Sequence, residues 1–227
     1  MTKKAIILLS GGLDSVCSLA AIKDDYDIEM ALTFDYGQKA AEKEIKAAKN
    51  ICDFYGIQHR VIPLNWLEII TQTSLVANTD VPLLDETELD DISTTTKTMD
   101  SVWVPNRNGL FINIAASFAD SFNYDAIIFG ANKEEGTTFK DNTSDFVEAI
   151  NFSLENSTSY PVEVVAPLIE FDKNTIVKLA LEKGVPLKFI RSCYLDEDTQ
   201  CGMCESCVRL KRALSANNRE DLIKILF

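Results

Sequence analysis

Cysteines near the end of the chain have the spacing of metal ligands. Four of the six cysteines fall within fifteen residues, at Cys193, Cys201, Cys204 and Cys207. Thiolates at two-residue gaps can converge on one tetrahedral ion, and Gly202 permits the tight turn that this requires. Four sulfur ligands with no open coordination position predict one structural zinc ion per chain. The spacing alone also allows an iron–sulfur cluster, a redox pair or a chance grouping.

The segment Ser10–Ser15 has the composition of a phosphate-binding loop. It follows the apolar run Ala5–Leu9 and reads Ser-Gly-Gly-Leu-Asp-Ser. Two glycines let backbone N–H groups approach a ligand, and the start of the next helix adds a partial positive charge. The string lacks the lysine of a Walker A loop and the Gly-x-Gly-x-x-Gly spacing of dinucleotide-binding folds. A plain strand-to-helix turn with a Ser or Asp cap is the alternative.

These residues need elements that position them, and the chain alternates between strand and helix patterns. Short apolar runs predict strands at Ala5–Leu9, Ile28–Phe34, Gln58–Pro63, Ala126–Phe129 and Val162–Ala166. Apolar residues at helical spacing predict helices at Ser15–Lys23, Ala40–Tyr55, Asn108–Phe122, Asp145–Leu154 and Lys173–Lys183. This alternation is typical of an α/β fold with a parallel sheet, whose ligands bind at the carboxyl ends of the strands.

The pattern divides the chain into two predicted domains. Residues 1–190 are expected to form a nucleotide-binding α/β domain, and residues 191–227 a small zinc-binding helical lobe. Within the first domain, residues 73–101 carry seven acidic residues and a single lysine, Lys97. Long segments of this kind are usually functional or disordered, and we expect an exposed, mobile excursion.

The overall charge narrows the class of ligand. The chain has 22 Lys and Arg against 35 Asp and Glu, a net charge of −13. So acidic a surface repels phosphate backbones, which argues against a general nucleic-acid binder. A membrane span needs about 20 apolar residues, and the longest apolar runs fall far short of this. The first run is also too short for the core of a secretory signal, so we expect a cytoplasmic protein.

Several short strings occur in an order that resembles a known family. They are Ser10–Ser15, Phe34–Gln38, Val104–Asn108, Gly130–Glu135, Ser192–Tyr194 and the group from Cys201 to Cys207. Together they resemble the 7-cyano-7-deazaguanine synthase family of the PP-loop ATP pyrophosphatases, over nearly the whole chain. The resemblance implies a Rossmann-like fold of the adenine nucleotide alpha hydrolase type, with five parallel strands, and cleavage of ATP between its α- and β-phosphates.

The resemblance also implies an activity. Members of this family are ligases that convert 7-carboxy-7-deazaguanine and ammonia into the nitrile, with two ATP consumed to two AMP and two diphosphates. The nitrile is a precursor of the modified tRNA bases queuosine and archaeosine. We therefore expect small-molecule substrates, ATP with Mg²⁺, one structural Zn²⁺, a homodimer, and no direct nucleic-acid or membrane partner.

Site residues follow by matching the family strings to this chain. The implied catalytic residues are Asp14, Arg107, Lys133 and Asp141. Implied nucleotide-binding residues are Leu8, Leu9, Ser10, Gly11, Gly12, Leu13, Asp14, Ser15, Val16, Phe34 and Arg107. Implied substrate-binding residues are Asp35, Tyr36, Gln38, Asn108, Asn132 and Asp141. Of these, Asp14 is expected to help hold Mg²⁺, and Arg107 to hold a phosphate or carboxylate in bidentate fashion.

One stretch departs from the family pattern. Many bacterial members carry Tyr-Ser-Gly-Tyr-Pro-Asp-Cys after the fourth strand, where this chain has Gly136–Asn142 and matches only at Asp141. The difference is compatible with an archaeal-like branch of the family or with a relative that uses the activated acid on another amine. Two alternative functions stay open for the chain. One is a related PP-loop enzyme that couples the activated acid to another amine or modifies tRNA. The other is a non-catalytic ATP-binding module.

Overall fold

A computed structural model describes residues 2–89 and 91–227, and within residues 92–96 it describes the helix but not the side chains. Asp90 of the predicted acidic excursion lies outside the described residues. Five parallel strands form one sheet in the order β3-β2-β1-β4-β5. Their bounds are β1 Lys3–Leu8, β2 Tyr26–Asp35, β3 Gln58–Pro63, β4 Ala126–Ile128 and β5 Glu163–Val165. The predicted five-stranded parallel sheet is confirmed.

The first strand lies at the centre of the sheet because its residues are apolar on both faces. Ile7 pairs with Ala31 on one side and with Ile128 on the other. Ala5, Ile6 and Ile7 are fully buried. A strand buried on both faces reads as a continuous apolar run rather than an alternating one.

Helices cover both faces of the sheet. Their bounds are α1 Leu13–Ile22, α2 Ala41–Tyr55, α3 Asn65–Ile70, α4 Ile92–Val102, α5 Arg107–Phe122, α6 Lys133–Gly136, α7 Ser144–Glu155, α8 Lys173–Glu182, α9 Glu205–Ala216 and α10 Glu220–Leu226. One core contains residues of α1, α2 and α8 to α10, and the opposite core contains residues of α3, α5 and α7. Across the described residues, every helix is too short or too polar to span a bilayer.

Residues 73–101 contain more structure than their composition suggested. They include a 3₁₀ turn at Glu86–Glu88 and most of α4. Val81 packs against the C-terminal cysteines, and Leu84 N donates to the carbonyl of Met203 at 2.8 Å. Acidic composition concealed these contacts because a few apolar residues, rather than a periodic pattern, make them. The segment thus covers the cysteine-bearing region.

The C-terminal segment shares the main core of the protein. Leu210 and Leu214 of α9, and Leu222 and Leu226 of α10, pack in the same apolar cluster as α1 and α8. Residues after 191 therefore lie against the sheet domain over a continuous apolar contact. This packing places the cysteine-bearing segment beside the carboxyl ends of the strands.

Candidate functional site

The loop after β1 has a fixed conformation that exposes backbone N–H groups. Ser10 Oγ accepts a hydrogen bond from Gly12 N at 3.2 Å and lies 3.1 Å from Ser15 Oγ. Ser15 Oγ donates to the Gly12 carbonyl at 3.1 Å. Gly12 precedes α1 without any side-chain cap, so the first N–H groups of that helix are left for a ligand. The local turn has the geometry that the predicted anion cradle requires.

Glycine is required at one position of this loop. Gly11 has φ of 82°, and a Cβ placed there would lie 2.7 Å from Ala47 Cβ. A side chain would thus meet both the left-handed penalty and a clash with α2. The close contact of the loop with α2 holds the cradle in place.

Asp14 lies in a buried charge cluster with a lysine that the sequence did not indicate. Lys173 Nζ donates to Asp14 Oδ2 and to Glu135 Oε1, both at 2.6 Å. Burial raises the pKa of Asp14 to about 6, against the attraction of Lys173. Burial alone would lower the pKa of Lys173, but the two carboxylates raise it above its ordinary value. Asp14 Oδ1 is buried and has no partner among the described residues.

A second ion cluster connects this lysine to the cysteine-bearing segment. Glu134 Oε2 accepts from the backbone N of Lys173 at 3.2 Å. The other oxygen of Glu134 accepts from Arg209 Nη1 at 2.5 Å. Arg209 also donates to Glu205 Oε1 from Nε and Nη2, at 3.1 and 2.8 Å. Glu134 of α6 therefore connects Arg209 of α9 to the backbone at the start of α8.

Aromatic residues form one wall of the site. The rings of Phe34 and Phe111 stack with centroids 3.9 Å apart, and Tyr36 tilts against Phe111 at 5.7 Å. Arg107 Nη1 donates to Tyr36 Oη at 3.4 Å. Phe34 and Tyr36 come from the end of β2, whereas Arg107 and Phe111 come from the first turns of α5. The ends of two elements thus create an apolar wall with a cation at its edge.

Arg107 is positioned by an unusual backbone at the start of α5. Asn106 before it has φ of 50°, a left-handed conformation that asparagine adopts more readily than most residues. Arg107 makes no salt bridge with a carboxylate in the described part of the chain, and its Nε donates to Asn108 Oδ1 at 3.4 Å. Asp141 lies near enough for Arg107 to lower its pKa, although burial gives a net rise. Arg107 is thus available to an anionic ligand.

The predicted substrate-binding residues Asp35 and Gln38 support the backbone instead of lining the cavity. Asp35 Oδ1 accepts from Gly37 N at 3.2 Å. Gln38 Oε1 accepts from Tyr36 N, while its Nε2 donates to the Phe34 carbonyl and to Glu44 Oε2 at 3.0 and 2.9 Å. Burial raises the pKa of Glu44 to about 7. The sequence analysis did not identify Glu44, which faces the cavity from α2.

Asn132 and Lys133 also differ from expectation. Asn132 is fully buried and caps α6, accepting from Glu135 N at 3.0 Å. Lys133 begins that helix with an exposed side chain and borders a separate shallow pocket with Glu170. The buried lysine beside Asp14 is Lys173, which follows β5. It begins α8, eight residues after the end of β5, and no local feature of the sequence distinguishes it from the other lysines.

A single cavity of about 230 Å³ joins these parts. Of the predicted residues, those that line it are Leu8, Leu9, Ser10, Gly12, Leu13, Asp14, Ser15, Phe34, Tyr36, Arg107 and Asn108. Those that do not are Gly11, Val16, Asp35, Gln38, Asn132, Lys133 and Asp141. Val16 is fully buried in the core. Lining residues that the sequence analysis did not identify include Glu44, Glu135, Arg191, Tyr194, Glu205 and Arg209.

The four C-terminal cysteines converge as their spacing predicts. Their sulfur atoms all lie within 4.8 Å of one another, and those of Cys201 and Cys207 are 3.8 Å apart. A tetrahedral ion with bonds of about 2.3 Å separates its ligands by about 3.8 Å. Backbone N–H groups also point at the sulfurs, such as Cys204 N at 3.2 Å from Cys201 Sγ. The donor set and its spacing are compatible with a zinc ion.

Known proteins resemble this chain over nearly its full length. The protein named 7-cyano-7-deazaguanine synthase in Methanosarcina barkeri is 47% identical, over 98% of this chain and 99% of that protein. The one so named in Carboxydothermus hydrogenoformans is 49% identical, over 95% of this chain and 100% of that protein. Among solved structures, an NMN synthetase from Francisella tularensis superposes with a TM-score of 0.47 at 14% identity, over 96% of this chain and 85% of that chain.

A family model gives the assignment independently of any single relative. The model described as queuosine biosynthesis protein QueC matches residues 4–218, which include both the phosphate loop and the four cysteines. The chain therefore belongs to the family of the queuosine biosynthesis protein QueC.

Proposed function

We propose that this chain is an ATP-dependent carbon–nitrogen ligase that converts 7-carboxy-7-deazaguanine and ammonia into 7-cyano-7-deazaguanine. The observation that carries the proposal is a single cavity that joins the phosphate loop to the aromatic wall and Arg107. The cavity thus places groups suited to phosphates next to groups suited to an aromatic acid. The relatives that match over nearly their full length are named for the nitrile product, 7-cyano-7-deazaguanine.

The chemistry explains why ATP is needed twice. A carboxylate is a poor electrophile because oxide is a poor leaving group. Attack of the carboxylate on the α-phosphorus of ATP releases diphosphate and gives an acyl adenylate. Ammonia then displaces AMP to form the amide. The amide oxygen attacks a second ATP, and loss of AMP and a proton gives the nitrile, so both carboxyl oxygens depart on AMP.

The phosphate end of the cavity has groups suited to this chemistry. The N–H groups after Gly12 and the hydroxyls of Ser10 and Ser15 would bind the β- and γ-phosphates. The unpartnered oxygen of Asp14 fits a Mg²⁺ ion, which prefers carboxylate and phosphate oxygens and would neutralise phosphate charge there. Lys173 would keep Asp14 ionised and oriented. Catalysis would then rest on positioning and charge stabilisation, without a covalent enzyme intermediate.

The aromatic end would bind the deazaguanine. Phe111 and Phe139 contribute apolar lining, and Asn108 offers an amide for hydrogen bonding. Arg107, which lacks a carboxylate partner, would hold the acid or the α-phosphate of the adenylate in a forked geometry. Asp141 lies beside Arg107 but does not line the cavity. Its contact with the exocyclic nitrogens of the base stays a prediction.

The test uses the purified protein with ATP, Mg²⁺, ammonia and 7-carboxy-7-deazaguanine, with products identified by mass spectrometry. We expect the amide and then the nitrile, with two AMP for each nitrile. The proposal would be contradicted if the natural acid gave neither the amide nor the nitrile, or if ADP formed in place of AMP. Replacing ammonia with a labelled lysine peptide or with tRNA tests the two alternative acceptors. No feature of the described residues favours either of them.

The metal and the assembly complete the proposal. We propose one structural Zn²⁺ on Cys193, Cys201, Cys204 and Cys207, which elemental analysis would measure at about one equivalent per chain. Iron in place of zinc would contradict this. We also propose a cytoplasmic homodimer that binds no nucleic acid. A mass of one chain in light scattering would contradict the dimer. A gel shift with tRNA would contradict the absence of nucleic-acid binding.

A further inference from the structure

Arg191 is a buried cation without a salt bridge among the described residues. The residue lines the cavity, only 8% of it is exposed, and its Nε has no hydrogen-bond partner in the described part of the chain. It makes no salt bridge with a carboxylate of the described chain. The carboxylates of Glu44 and Asp198 are near enough to interact with its charge, but they accept hydrogen bonds from Gln38 at 2.9 Å and from Lys43 at 2.7 Å instead. A buried cation without a directly paired carboxylate is costly, so its persistence indicates an anionic ligand.

The guanidinium is held in position by the metal-binding loop. Arg191 Nη2 donates to the carbonyls of Leu195 and Glu197 at 2.6 and 2.7 Å. Both carbonyls lie between the first two cysteines of the zinc cluster, Cys193 and Cys201. Carbonyl oxygens orient the group without neutralising its charge. The loop therefore holds the guanidinium in place without pairing its charge with a carboxylate.

The backbone of Arg191 lies directly beside the phosphate loop. Arg191 N donates to the carbonyl of Gly11 at 2.8 Å. Its own carbonyl lies so close to Gly12 that a Cβ on that glycine would be 3.5 Å away. Arg107, the other arginine without a carboxylate partner that lines the cavity, lies instead against Tyr36 at the aromatic wall. Arg191 thus adjoins the phosphate loop through its backbone, whereas the side chain of Arg107 lies at the aromatic wall of the same cavity.

We propose that Arg191 is a phosphate-binding residue of the nucleotide site, and that the zinc-binding loop positions it. Its ligand is the oxyanion of the β- or γ-phosphate of ATP, and afterwards the diphosphate product. A carboxylate ligand is less compatible with this position because Arg191 adjoins the phosphate loop rather than the aromatic wall. The inference rests on the proposed use of ATP but not on the identity of the acid.

Calorimetry with Mg²⁺ and diphosphate tests the inference on the full-length, zinc-loaded protein. Arg191→Met removes the charge, and Arg191→Lys keeps it without the fork. Arg60→Met is the matched control, because Arg60 is exposed on β3 away from the cavity. A charge-assisted hydrogen bond contributes about 1.5–3 kcal/mol, so we expect diphosphate to bind about 10- to 100-fold more weakly to Arg191→Met. Arg191→Lys should lose less, and Arg60→Met should match the wild type.

Zinc content and KM values separate binding from a merely structural role. Both Arg191 variants should retain one zinc, and KM should rise for ATP and not for the deazaguanine acid. Diphosphate affinity within twofold of the wild type in a folded variant would overturn the proposal, as would a rise in KM for the acid alone. If Arg191→Met does not fold, the Arg191→Lys titration decides. If Arg191→Met weakens diphosphate binding but the wild type forms no nitrile, the proposed function is contradicted and this inference is still supported.

Discussion

Replacing Lys173 with methionine should shift the pH dependence of activity toward higher pH. Lys173 lies 2.6 Å from Asp14, and with this cation present the pKa of Asp14 is about 6. Ionised Asp14 is the form that can bind Mg²⁺, so kcat/KM for ATP should fall as pH drops through about 6 in the wild type. Burial raises this pKa, and the lysine is the main opposing charge.

The size of the shift follows from the charge that is removed. Two unit charges about 4 Å apart attract by about 4 kcal/mol at the effective dielectric of a protein site. Water entering the vacated space would screen part of this, so about half, 2 kcal/mol, is a conservative value. One pKa unit corresponds to about 1.4 kcal/mol, which moves the pKa of Asp14 from about 6 to about 7.5. The ionised fraction at pH 7 would then fall from about 90% to about 25%.

The assay is kcat/KM for ATP between pH 5.5 and 9, with diphosphate release as the readout. Lys178→Met is the matched control, since Lys178 lies on the same helix with an exposed side chain. Losing Lys173 also leaves two carboxylates without their cation and should destabilise the fold by about 3–5 kcal/mol. Near-ultraviolet circular dichroism must therefore show a folded variant. If Lys173→Met does not fold, Lys173→Gln replaces it, because glutamine also lacks the charge but can still donate hydrogen bonds to both carboxylates. An acid limb that stays near pH 6 in a folded variant would refute the reasoning.

Three further perturbations have defined outcomes. Gly11→Ala should abolish diphosphate binding and lower the free energy of unfolding by about 1–3 kcal/mol, whereas Gly56→Ala, with similar φ but nothing within 4 Å, should cost about 1 kcal/mol and keep binding. Urea unfolding and calorimetry measure both. Cys204→Ser should bring zinc below half an equivalent by elemental analysis, while Cys17→Ser keeps the full amount; equal zinc in the two proteins would contradict the assignment. Glu44→Gln should raise the free energy of unfolding by about 1–3 kcal/mol at pH 8 but not at pH 4. The reason is that a carboxyl whose pKa is raised to about 7 in the folded state opposes folding only at pH values where it is ionised. Urea unfolding at both pH values measures the effect, and an equal change at pH 4 and pH 8 would contradict the prediction.

The first strand, the loop that follows it and the cysteine group could be predicted from the sequence, because each depends on residues that are close together along the chain. A strand buried on both faces must be a continuous apolar run, which identified β1. The string Ser10–Ser15 contains its own turn, hydroxyls and helix start, so it predicted the cradle without tertiary information. The cysteines close a metal site through short spacings, and the structure confirms that their sulfurs converge.

Helix α4 and the contacts of residues 73–101 could not be predicted from the sequence, because they depend on residues that are distant along the chain. Their composition is acidic and polar, and the apolar contacts that fix them involve distant partners. Val81, for example, packs against cysteines more than a hundred residues later. Composition predicts exposure for such a segment because it averages over side chains, whereas single buried residues decide its position.

The charges that act in the site were decided by the tertiary structure alone. Lys173 meets Asp14 across 159 residues because β4 and β5 extend the sheet from β1 and place the start of α8 beside the phosphate loop. Lys133 had the better sequence argument, but the capping of α6 by Asn132 leaves its side chain in solvent. Local spacing determines which groups can form a loop or a metal cluster. Which cation faces that loop depends on strand order and helix packing, since charges that are distant along the chain become neighbours only in the folded sheet.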